Sequence, residues 1–259
     1  MHEAAERTLA DGSRDRLIRE EALMLRIAGE PLLTMRTPGA DLQLATGFML
    51  SEGIAKSLSE FTVSRTAGED DELAVELPSA VLPRVKARLA RTHEVRASCG
   101  ICGLRDAEHL LEDLPPLLPG VPKLDRERIG DLARRFVALQ HAFAETGACH
   151  GAALFSATGD VLGFGEDVGR HNALDKAIGA AAEARAPLDR AIALLSGRAG
   201  FDLVLKCLRV RVPVILSVSA PSALGFDLCE RAGATLVGFV RGDRAKVYCD
   251  GGRIVPARV

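Results

Sequence analysis

The stretch "RAIALLSGRAGFDLVLKCLRVRVPVILSVSAPSALGFDLCERAGATLVGFV", residues 190–240, decides the fold. Three apolar runs, "RAIALLS", "VPVILSVS" and "ATLVGFV", alternate with two longer segments of helical character, "AGFDLVLKCLRV" and "SALGFDLCERAG". Short apolar strands separated by helices are typical of a parallel sheet that helices cover. The sequence therefore predicts an α/β domain with a mostly parallel sheet and covering helices.

Small and charged residues follow each of the three predicted strands. They are Ser196, Gly197 and Arg198 after the first strand, residues 219–222 after the second, and Arg241, Gly242, Asp243 and Arg244 after Phe239 and Val240 of the third. In an open α/β sheet this edge binds ligands, and the N–H groups at the start of a following helix suit a phosphate. Arginines there can bind phosphate oxygens or a guanine edge through paired hydrogen bonds. The alternative is that the serines cap helices and the arginines are solvated.

A further polar cluster, "EDVGRHNALDK", occupies residues 166–176. Its pattern predicts a strand-to-helix junction, and we expect Arg170 and His171 to line a pocket at the same edge of the sheet. In the structural alternative, Asp167 or Asn172 caps the helix and the other side chains face solvent.

The chain upstream predicts a smaller unit. "ALMLRIAGEPLLTMRT" predicts a hairpin around Gly29, "GADLQLATGFMLSEGI" a helix, and "FTVSRT" with "ELAVELP" a second hairpin. We expect a flexible tail over residues 1–20, a small α+β domain over 21–96, a cysteine loop and linker over 97–125, and the α/β domain over 126–259. Within that last domain, "RIGDLARRFVALQHAFAET" predicts one amphipathic helix.

Composition excludes several classes of function. The 259 residues carry a formal net charge of −2, so no chain-wide basic field attracts nucleic acid or an anionic membrane. The sequence has no signal-like apolar run at its start and no stretch of about 18 apolar residues, so we expect a cytoplasmic globular protein. In that reducing compartment, the six cysteines point to chemistry or metal binding before structural disulfides.

The stretch "RASCGICGLRD" places Cys99 and Cys102 three positions apart. Four interpretations apply: a disulfide, a zinc site completed by His93 and His109, a thioredoxin-like redox pair, or a nucleophile. A disulfide between neighbours this close gains little, and the pair lacks the strand-to-helix context of thioredoxins. An exposed thiolate on a glycine-rich loop suits transfer of a group between partners.

The other cysteines differ in setting. Cys207, Cys229 and Cys249 lie in apolar patterns and are expected in the core. Cys149 adjoins His150, a pairing that is found at reactive thiols, so its role stays open.

Several long motifs, in this order, resemble the formate dehydrogenase accessory sulfurtransferase family, FdhD. They are "TPGADLQLATGFMLSEGI", "SCGICG", "EDVGRHNALDKAIG", "LLSGRAGFDLVLK", "SVSAPSALGFDL" and "TLVGFVRGDRAKVY". The resemblance implies a fold similar to cytidine deaminases in the larger domain, and a homodimer. It also implies that a cysteine desulfurase supplies sulfur, which the protein carries as a persulfide to the molybdenum bis-molybdopterin guanine dinucleotide cofactor of formate dehydrogenase.

The resemblance also assigns roles to residues of this chain. Cys99 would carry the persulfide, and Cys102 would assist its transfer or resolve it. The cofactor segment would be Phe239, Val240, Arg241, Gly242, Asp243 and Arg244, with Ser196, Arg198, Arg170 and His171 as further pocket residues. A guanine nucleotide such as GDP would mimic the cofactor. The stretch "TGACH" departs from the family pattern at Ala148 and Cys149, which leaves a part for Cys149 in sulfur relay open.

Two other functions are compatible with the same residues. A non-catalytic chaperone would bind the cofactor without sulfur chemistry, and a structural protein would use Cys102 to hold zinc. Deaminase chemistry is not expected, because no His-x-Glu precedes a Pro-Cys-x-x-Cys.

Overall fold

The computed structural model describes residues 3–83, 85 and 114–255. Strands β1 (Ala4–Thr8) and β2 (Arg14–Ile18) pair antiparallel, where a flexible tail was expected over residues 1–20. The turn between them is fixed by the Asp11 carboxylate, which accepts hydrogen bonds from the amide and hydroxyl of Ser13. An ion pair from Arg16 to Glu145 ties this hairpin to the rest of the molecule. The expectation of a tail was wrong because polar composition does not exclude an exposed hairpin.

A four-stranded sheet follows, with the order β4-β3-β6-β5. Its elements are β3 (Glu21–Ile27), β4 (Glu30–Arg36), helix α1 (Asp41–Ser51), a 3₁₀ turn (Leu58–Glu60), β5 (Thr62–Arg65) and β6 (Glu72–Glu76). Both predicted hairpins and the predicted helix are confirmed. The first hairpin turns through Ala28 and Gly29, both at positive φ, as the two-residue turns that match strand twist require.

The remaining elements build a larger sheet and its covering helices. They are β7 (Leu124–Asp125), α2 (Arg128–Leu139), α3 (His141–Thr146), β8 (His150–Phe155), β9 (Val161–Asp167), α4 (Arg170–Glu183), a 3₁₀ turn (Leu188–Arg190), β10 (Ile192–Leu195), α5 (Phe201–Arg209), β11 (Val214–Ser217), α6 (Ala223–Arg231), β12 (Thr235–Arg241), β13 (Arg244–Cys249) and β14 (Ile254–Val255). The single helix expected from "RIGDLARRFVALQHAFAET" is two helices, because Gln140 leaves the helical conformation at ψ 71°.

The large sheet has the order β13-β12-β11-β10-β8-β9 and is mixed. Strands β10, β11 and β12 are parallel, as predicted from their alternation with helices. The pairs β8–β9, β8–β10 and β12–β13 are antiparallel. The expectation of a mostly parallel sheet is therefore corrected, since antiparallel strands flank the three parallel ones on both sides.

Helices cover both faces of this sheet. On one face α2 packs over a cluster that includes Phe136, Phe155 and Leu194. On the other face, one hydrophobic cluster joins the two parts of the chain. It extends from Leu25 and Phe48 of the first unit, which contains the four-stranded sheet, to Ile178 and Val204 of the second unit, which contains the large sheet. The regions expected as two domains thus share one hydrophobic core.

Helices α1 and α4 cross at backbone contact within that core. A Cβ atom on Gly47 would lie 1.8 Å from the carbonyl oxygen of Asp175, and one on Gly179 would lie 1.9 Å from that of Gln43. Only glycine leaves room for such an approach.

The loop after β4 also holds the start of α4. The amide of Thr37 donates to Asp167, its hydroxyl accepts from Val168, and its carbonyl accepts from the Lys176 ammonium at 2.8 Å. Asn172 donates to the carbonyl of Met35 at 2.7 Å. The first unit therefore positions the helix that begins with Arg170 and His171.

Candidate functional site

The strand register places the polar segments at one edge of the large sheet. Leu195 ends β10 opposite Ser217, the last residue of β11, and β9 ends nearby where β8 begins at His150. Strand β12 extends three residues further than β11. Leu216 pairs with Val237, so Ser217 lies level with Gly238, and β12 ends at Arg241. No helix follows β12. Residues 241–244 instead form a turn into β13, which projects past the edge.

A cleft of about 370 Å³ lies between α2 and the β12–β13 turn. It is lined by Ala133, Arg134, Phe136, Val137, Val218, Val240, Arg241 and Gly242. Apolar side chains form its walls. One of them is Val137 of α2, which is 69% exposed. Mostly apolar walls with a few placed cations are typical of small-molecule sites.

Charged groups fix the rim of this cleft. Arg134 donates to the Asp243 carboxylate at 3.0 Å and also pairs with Asp131. These two acidic partners raise the pKa of the Arg134 guanidinium, with Asp243 the larger cause. Arg241 and Arg244 are exposed on the turn. The pair from Arg134 to Asp243 therefore ties the turn to α2 and leaves Arg241 accessible beside the cleft.

The backbone of β12 is strained beside the cleft. Phe239 has a φ of 53°, in the left-handed region that aromatic residues rarely adopt. Its amide donates to the carbonyl of Ser219 at 3.1 Å, and the register of β12 against β13 shifts between Gly238 and Arg241. This bulge leaves the Phe239 ring 44% exposed. Bulges and left-handed residues occur at binding sites because they redirect side chains at a cost that the surrounding fold sustains.

A second polar group lies at the same edge, on the side of α4 and α5. Ser196 accepts a hydrogen bond from the amide of Gly151 at 3.0 Å, and its oxygen lies 3.2 Å from Nδ1 of His150. The Nε2 atom of His171 lies 3.7 Å from the Asp202 carboxylate.

Burial, followed by the electrostatic effects of Arg170 and His171, lowers the pKa of His150. The hydrogen bond from His171 lowers the pKa of Asp202. His150 is thus favoured as a neutral hydrogen-bonding group beside the cation Arg170. Helices α4 and α5 begin here after Gly169 and Gly200, so their free N–H groups face the same edge. The arrangement suits an anionic group.

The residues expected at the site fall into three sets. Val240, Arg241 and Gly242 line the cleft, Phe239, Asp243 and Arg244 border it, and Ser196, Arg170 and His171 form the second group. Arg198 is exposed on the loop between β10 and α5.

Cys99 and Cys102 lie outside the described residues, as do His93 and His109. Ser196 is not a helix cap, whereas Ser222 is one, because its hydroxyl accepts from the amide of Gly225.

Sequence reasoning missed the α2 wall of the cleft. Arg134, Phe136 and Val137 belong to a helix whose apolar spacing predicts only core packing, so nothing in the pattern marks a ligand. It singled out His150 only as the neighbour of Cys149 and not as a member of this polar group, and it missed Asp202. A signal for His150 existed, because the first residue of a strand antiparallel to β10 must lie at the carboxyl end of β10.

The structure also answers the question about Cys149. The side chain is 6% exposed, and burial, followed by the charge of Glu166, raises the pKa of its thiol to about 12. A thiol that stays protonated is a poor nucleophile. Cys149 is therefore unsuited to sulfur relay. The core positions predicted for Cys207 and Cys229 are confirmed, while Cys249 is half-buried.

Within residues 3–83, 85 and 114–255, no three histidine, cysteine or acidic side chains come together as metal ligands. Among the helices of those ranges, none has the length and apolar character needed to span a membrane.

The fold and this edge define an α/β protein with a ligand-sized cleft at the carboxyl ends of its parallel strands. Residues 18–255 match the FdhD/NarQ family. The chain belongs to that family.

Curated relatives agree with this assignment. The chain is 43% identical to the sulfur carrier protein FdhD of Anaeromyxobacter dehalogenans over 96% of this chain and 93% of the relative. It is 40% identical to the sulfur carrier proteins FdhD of Streptomyces avermitilis, over 93% and 89% of the two chains, and of Mycobacterium tuberculosis, over 91% and 90%. The fold is similar to a crystal structure from Desulfotalea psychrophila, described as a formate dehydrogenase accessory protein, with a TM-score of 0.73, 24% identity and 97% coverage of both chains.

Proposed function

We propose that this protein is a sulfurtransferase, which carries a persulfide from a cysteine desulfurase to the molybdenum bis-molybdopterin guanine dinucleotide cofactor of formate dehydrogenase. The observation that carries the proposal is the cleft of about 370 Å³. Three residues of the segment that the family resemblance assigns to the cofactor, Val240, Arg241 and Gly242, line it. The curated relatives are named as sulfur carriers, which agrees with the chemistry.

The size of the cleft limits what it holds. Its volume lies at the lower end of small-molecule sites, which span roughly 300–1,000 Å³. One ring system fits against the apolar walls of Phe136, Val137 and Val240, and the Arg241 guanidinium can bind a guanine edge or a phosphate. The rest of a dinucleotide cofactor must extend along the edge. The group of Arg170, His150 and His171, beside two helix N-termini, suits its phosphates.

The sulfur would reach this edge on Cys99. The Cys99 thiolate attacks the terminal sulfur of the desulfurase persulfide, which forms a Cys99 persulfide and releases the desulfurase cysteine as a thiol. Cys102 would then assist transfer of the terminal sulfur to the cofactor or resolve the persulfide. Both chain ends that flank this segment are held in the core, where Val85 is fully buried and Leu114 packs against the same cluster. We place this chemistry in the reducing cytoplasm, in a homodimer.

The first test is the mass of the protein after sulfur loading. Incubation with a cysteine desulfurase and free cysteine is expected to add one sulfur, about 32 Da, as a persulfide. Cys99→Ala is expected to abolish the addition, because the proposal makes the Cys99 thiolate the group that accepts the sulfur. Cys149→Ala is the matched control and is expected to load normally, since that thiol is buried and protonated. Normal loading of Cys99→Ala, or its full activation of formate dehydrogenase in cells, would show that Cys99 is not the carrier.

The second test is nucleotide binding at the cleft. Arg241→Ala is expected to weaken GDP binding by about 10-fold or more, the effect of losing one charged hydrogen bond. Calorimetry or fluorescence titration measures the dissociation constant. Arg231→Ala is the control, because Arg231 is also exposed but ends α6 at the opposite edge of the sheet. If the two variants bind GDP with equal affinity, the cleft does not bind the cofactor.

One observation favours a second candidate, a chaperone that binds the cofactor without sulfur chemistry. Three of the four cysteines in the described ranges, Cys149, Cys207 and Cys229, are buried, so the edge itself supplies no obvious sulfur carrier. This candidate predicts that GDP binding depends on Arg241 while Cys99→Ala retains full function. The loading experiment and the cellular assay on the same variant separate the two functions.

A further inference from the structure

The turn between β12 and β13 carries a carboxylate that α2 holds in place at the rim of the cleft. Oδ1 of Asp243 accepts a hydrogen bond from Nη1 of Arg134 at 3.0 Å, and Arg134 itself lines the cleft. Nη2 of Arg134 donates to Asp131, three residues earlier on the same helix. The two bonds fix the guanidinium between two carboxylates. Asp243 therefore has a set position beside the cleft, although its side chain is 88% exposed.

The surface of α2 is shaped to receive this turn. A Cβ atom on Gly130 would lie 2.6 Å from Oδ1 of Asp243 and 3.1 Å from the carbonyl oxygen of Gly242. Glycine is less favourable than alanine within a helix, so its presence here has a local stability cost. That cost is offset by the close approach of the turn, which brings the Asp243 carboxylate within reach of Arg134.

Two groups of opposite hydrogen-bonding character stand on this turn. Arg241 lines the cleft and supplies N–H donors, and Asp243, two residues later, supplies acceptors. Within residues 3–83, 85 and 114–255, Oδ1 of Asp243 is bonded to Arg134, while Oδ2 accepts no hydrogen bond. The rim thus offers a ligand one cation and one carboxylate oxygen that is free to accept.

Guanine matches this pair of groups better than adenine does. Its O6 and N7 atoms accept hydrogen bonds, and its N1–H and 2-amino groups donate them. A guanidinium donates to paired acceptors, and a carboxylate has no donor of its own and accepts at both oxygens. Adenine has an unprotonated N1 and a C–H where guanine has its two donors. A carboxylate opposite that edge meets a lone pair instead of an N–H.

We propose that Asp243 selects guanine at the cleft by accepting hydrogen bonds from its N1–H and 2-amino groups, and that Arg134 is the positioning residue for Asp243. This inference rests on the proposed function, because it takes the cleft as the place where the base of the cofactor binds. It adds which base the cleft prefers and which residues set that preference. Arg134 acts through the carboxylate, so its effect appears in base selection.

Calorimetric titration of the full chain with GDP, inosine diphosphate and ADP tests this preference. Inosine diphosphate differs from GDP only in lacking the 2-amino group, so the ratio of the two dissociation constants isolates one hydrogen bond. We expect the parent protein to bind GDP about 10-fold more tightly than inosine diphosphate, the effect of one hydrogen bond to a charged group, and to bind ADP more weakly than both. Asp243→Ala should bring the ratio of GDP to inosine diphosphate affinities to about 1.

Variants on α2 test the positioning of the carboxylate. Asp131→Ala is the matched control, because it removes the other carboxylate that pairs with Arg134 and should keep the parent ratio. Arg134→Gln should lower the ratio, and Arg134→Lys, which keeps a cation opposite Asp243, should restore most of it. Gly130→Ala should also lower the ratio, since the added Cβ displaces Asp243, although alanine favours the helix. A parent ratio in Arg134→Gln would show that Arg134 does not position the carboxylate.

The outcomes separate this inference from the proposed function. Equal binding of GDP and inosine diphosphate by the parent, or an Asp243→Ala variant that keeps the parent preference, would overturn the inference. If GDP binding still depends on Arg241 in that case, the proposed function stands without selection of the base by Asp243. A parent protein that binds none of the three nucleotides would overturn both the inference and the assignment of the cleft to the cofactor.

Discussion

Lys206→Met is expected to lower the free energy of unfolding by about 3–5 kcal/mol, the usual loss when one partner of a buried ion pair is removed. The Lys206 ammonium is buried and donates to both oxygens of Asp175, at 2.8 and 2.9 Å, and to Ser51 at 2.9 Å, and it pairs with Glu52 at 2.8 Å. Burial opposes its charge, but Asp175 and Glu52 outweigh burial, so the pKa of Lys206 is raised. Methionine fills similar space and leaves the Asp175 carboxylate buried without its cation.

Urea or thermal unfolding measures this loss, with Lys246→Met as the control. Lys246 is exposed on β13 and its ammonium lies 5.0 Å from the centre of the Tyr248 ring, so its replacement should change the free energy of unfolding by no more than about 0.5–1 kcal/mol. The double variant Lys206→Met with Asp175→Leu should be more stable than Lys206→Met alone, because it removes the unpaired carboxylate as well. If Lys206→Met is as stable as Lys246→Met, the network of Lys206, Asp175 and Ser51 does not join α1, α4 and α5.

Gly179→Ala is expected to destabilise the protein by about 3 kcal/mol, against the usual direction of such a change. Alanine ordinarily favours a helix interior over glycine by about 1 kcal/mol. Here the added Cβ would lie 1.9 Å from the carbonyl oxygen of Gln43, a backbone atom that cannot move without displacing α1. Overpacking of this kind costs about 1–3 kcal/mol, occasionally more, and the overlap places this site at the upper end.

The matched control is Ala180→Gly, the next residue of the same helix. Its side chain is only partly buried, so removal of the Cβ should cost about 0.5–1 kcal/mol through helix propensity alone. Chemical denaturation of both variants gives the two free energies. If Gly179→Ala is as stable as the parent, α1 and α4 do not meet at backbone contact in solution.

Much of the fold follows from local patterns. The alternation in residues 190–240 predicts the three parallel strands, and Gly29 marks the first hairpin. The mixed character of the sheet could not be predicted in this way, because whether β8 pairs with β10 depends on contacts far apart in sequence. The break at Gln140 was equally hidden, since the apolar spacing continues across it.

The candidate site was likewise predictable only in part. Residues at strand ends, such as Ser196 and Arg241, were predictable because topology alone brings strand ends to an edge. The cleft could not be predicted, because its second wall belongs to α2. The apolar pattern of α2 does not show whether Val137 lines a ligand-sized cleft or lies on ordinary surface. The bulge at Phe239 also has no sequence signal, because a left-handed aromatic residue is set by its tertiary surroundings.

The backbone crossing of α1 and α4 bears on how this protein can change over evolutionary time. Gly47 and Gly179 face each other's helix at contact distance, while Thr37 and Met35 hold the beginning of α4 through main-chain groups. Neither half can therefore be exchanged for a relative's as an independent module, unless both helices and the Lys206 network are carried across together. Sequence changes in the first unit must therefore stay matched to the second unit, so the edge with Arg170 and His171 is constrained by residues that lie away from it.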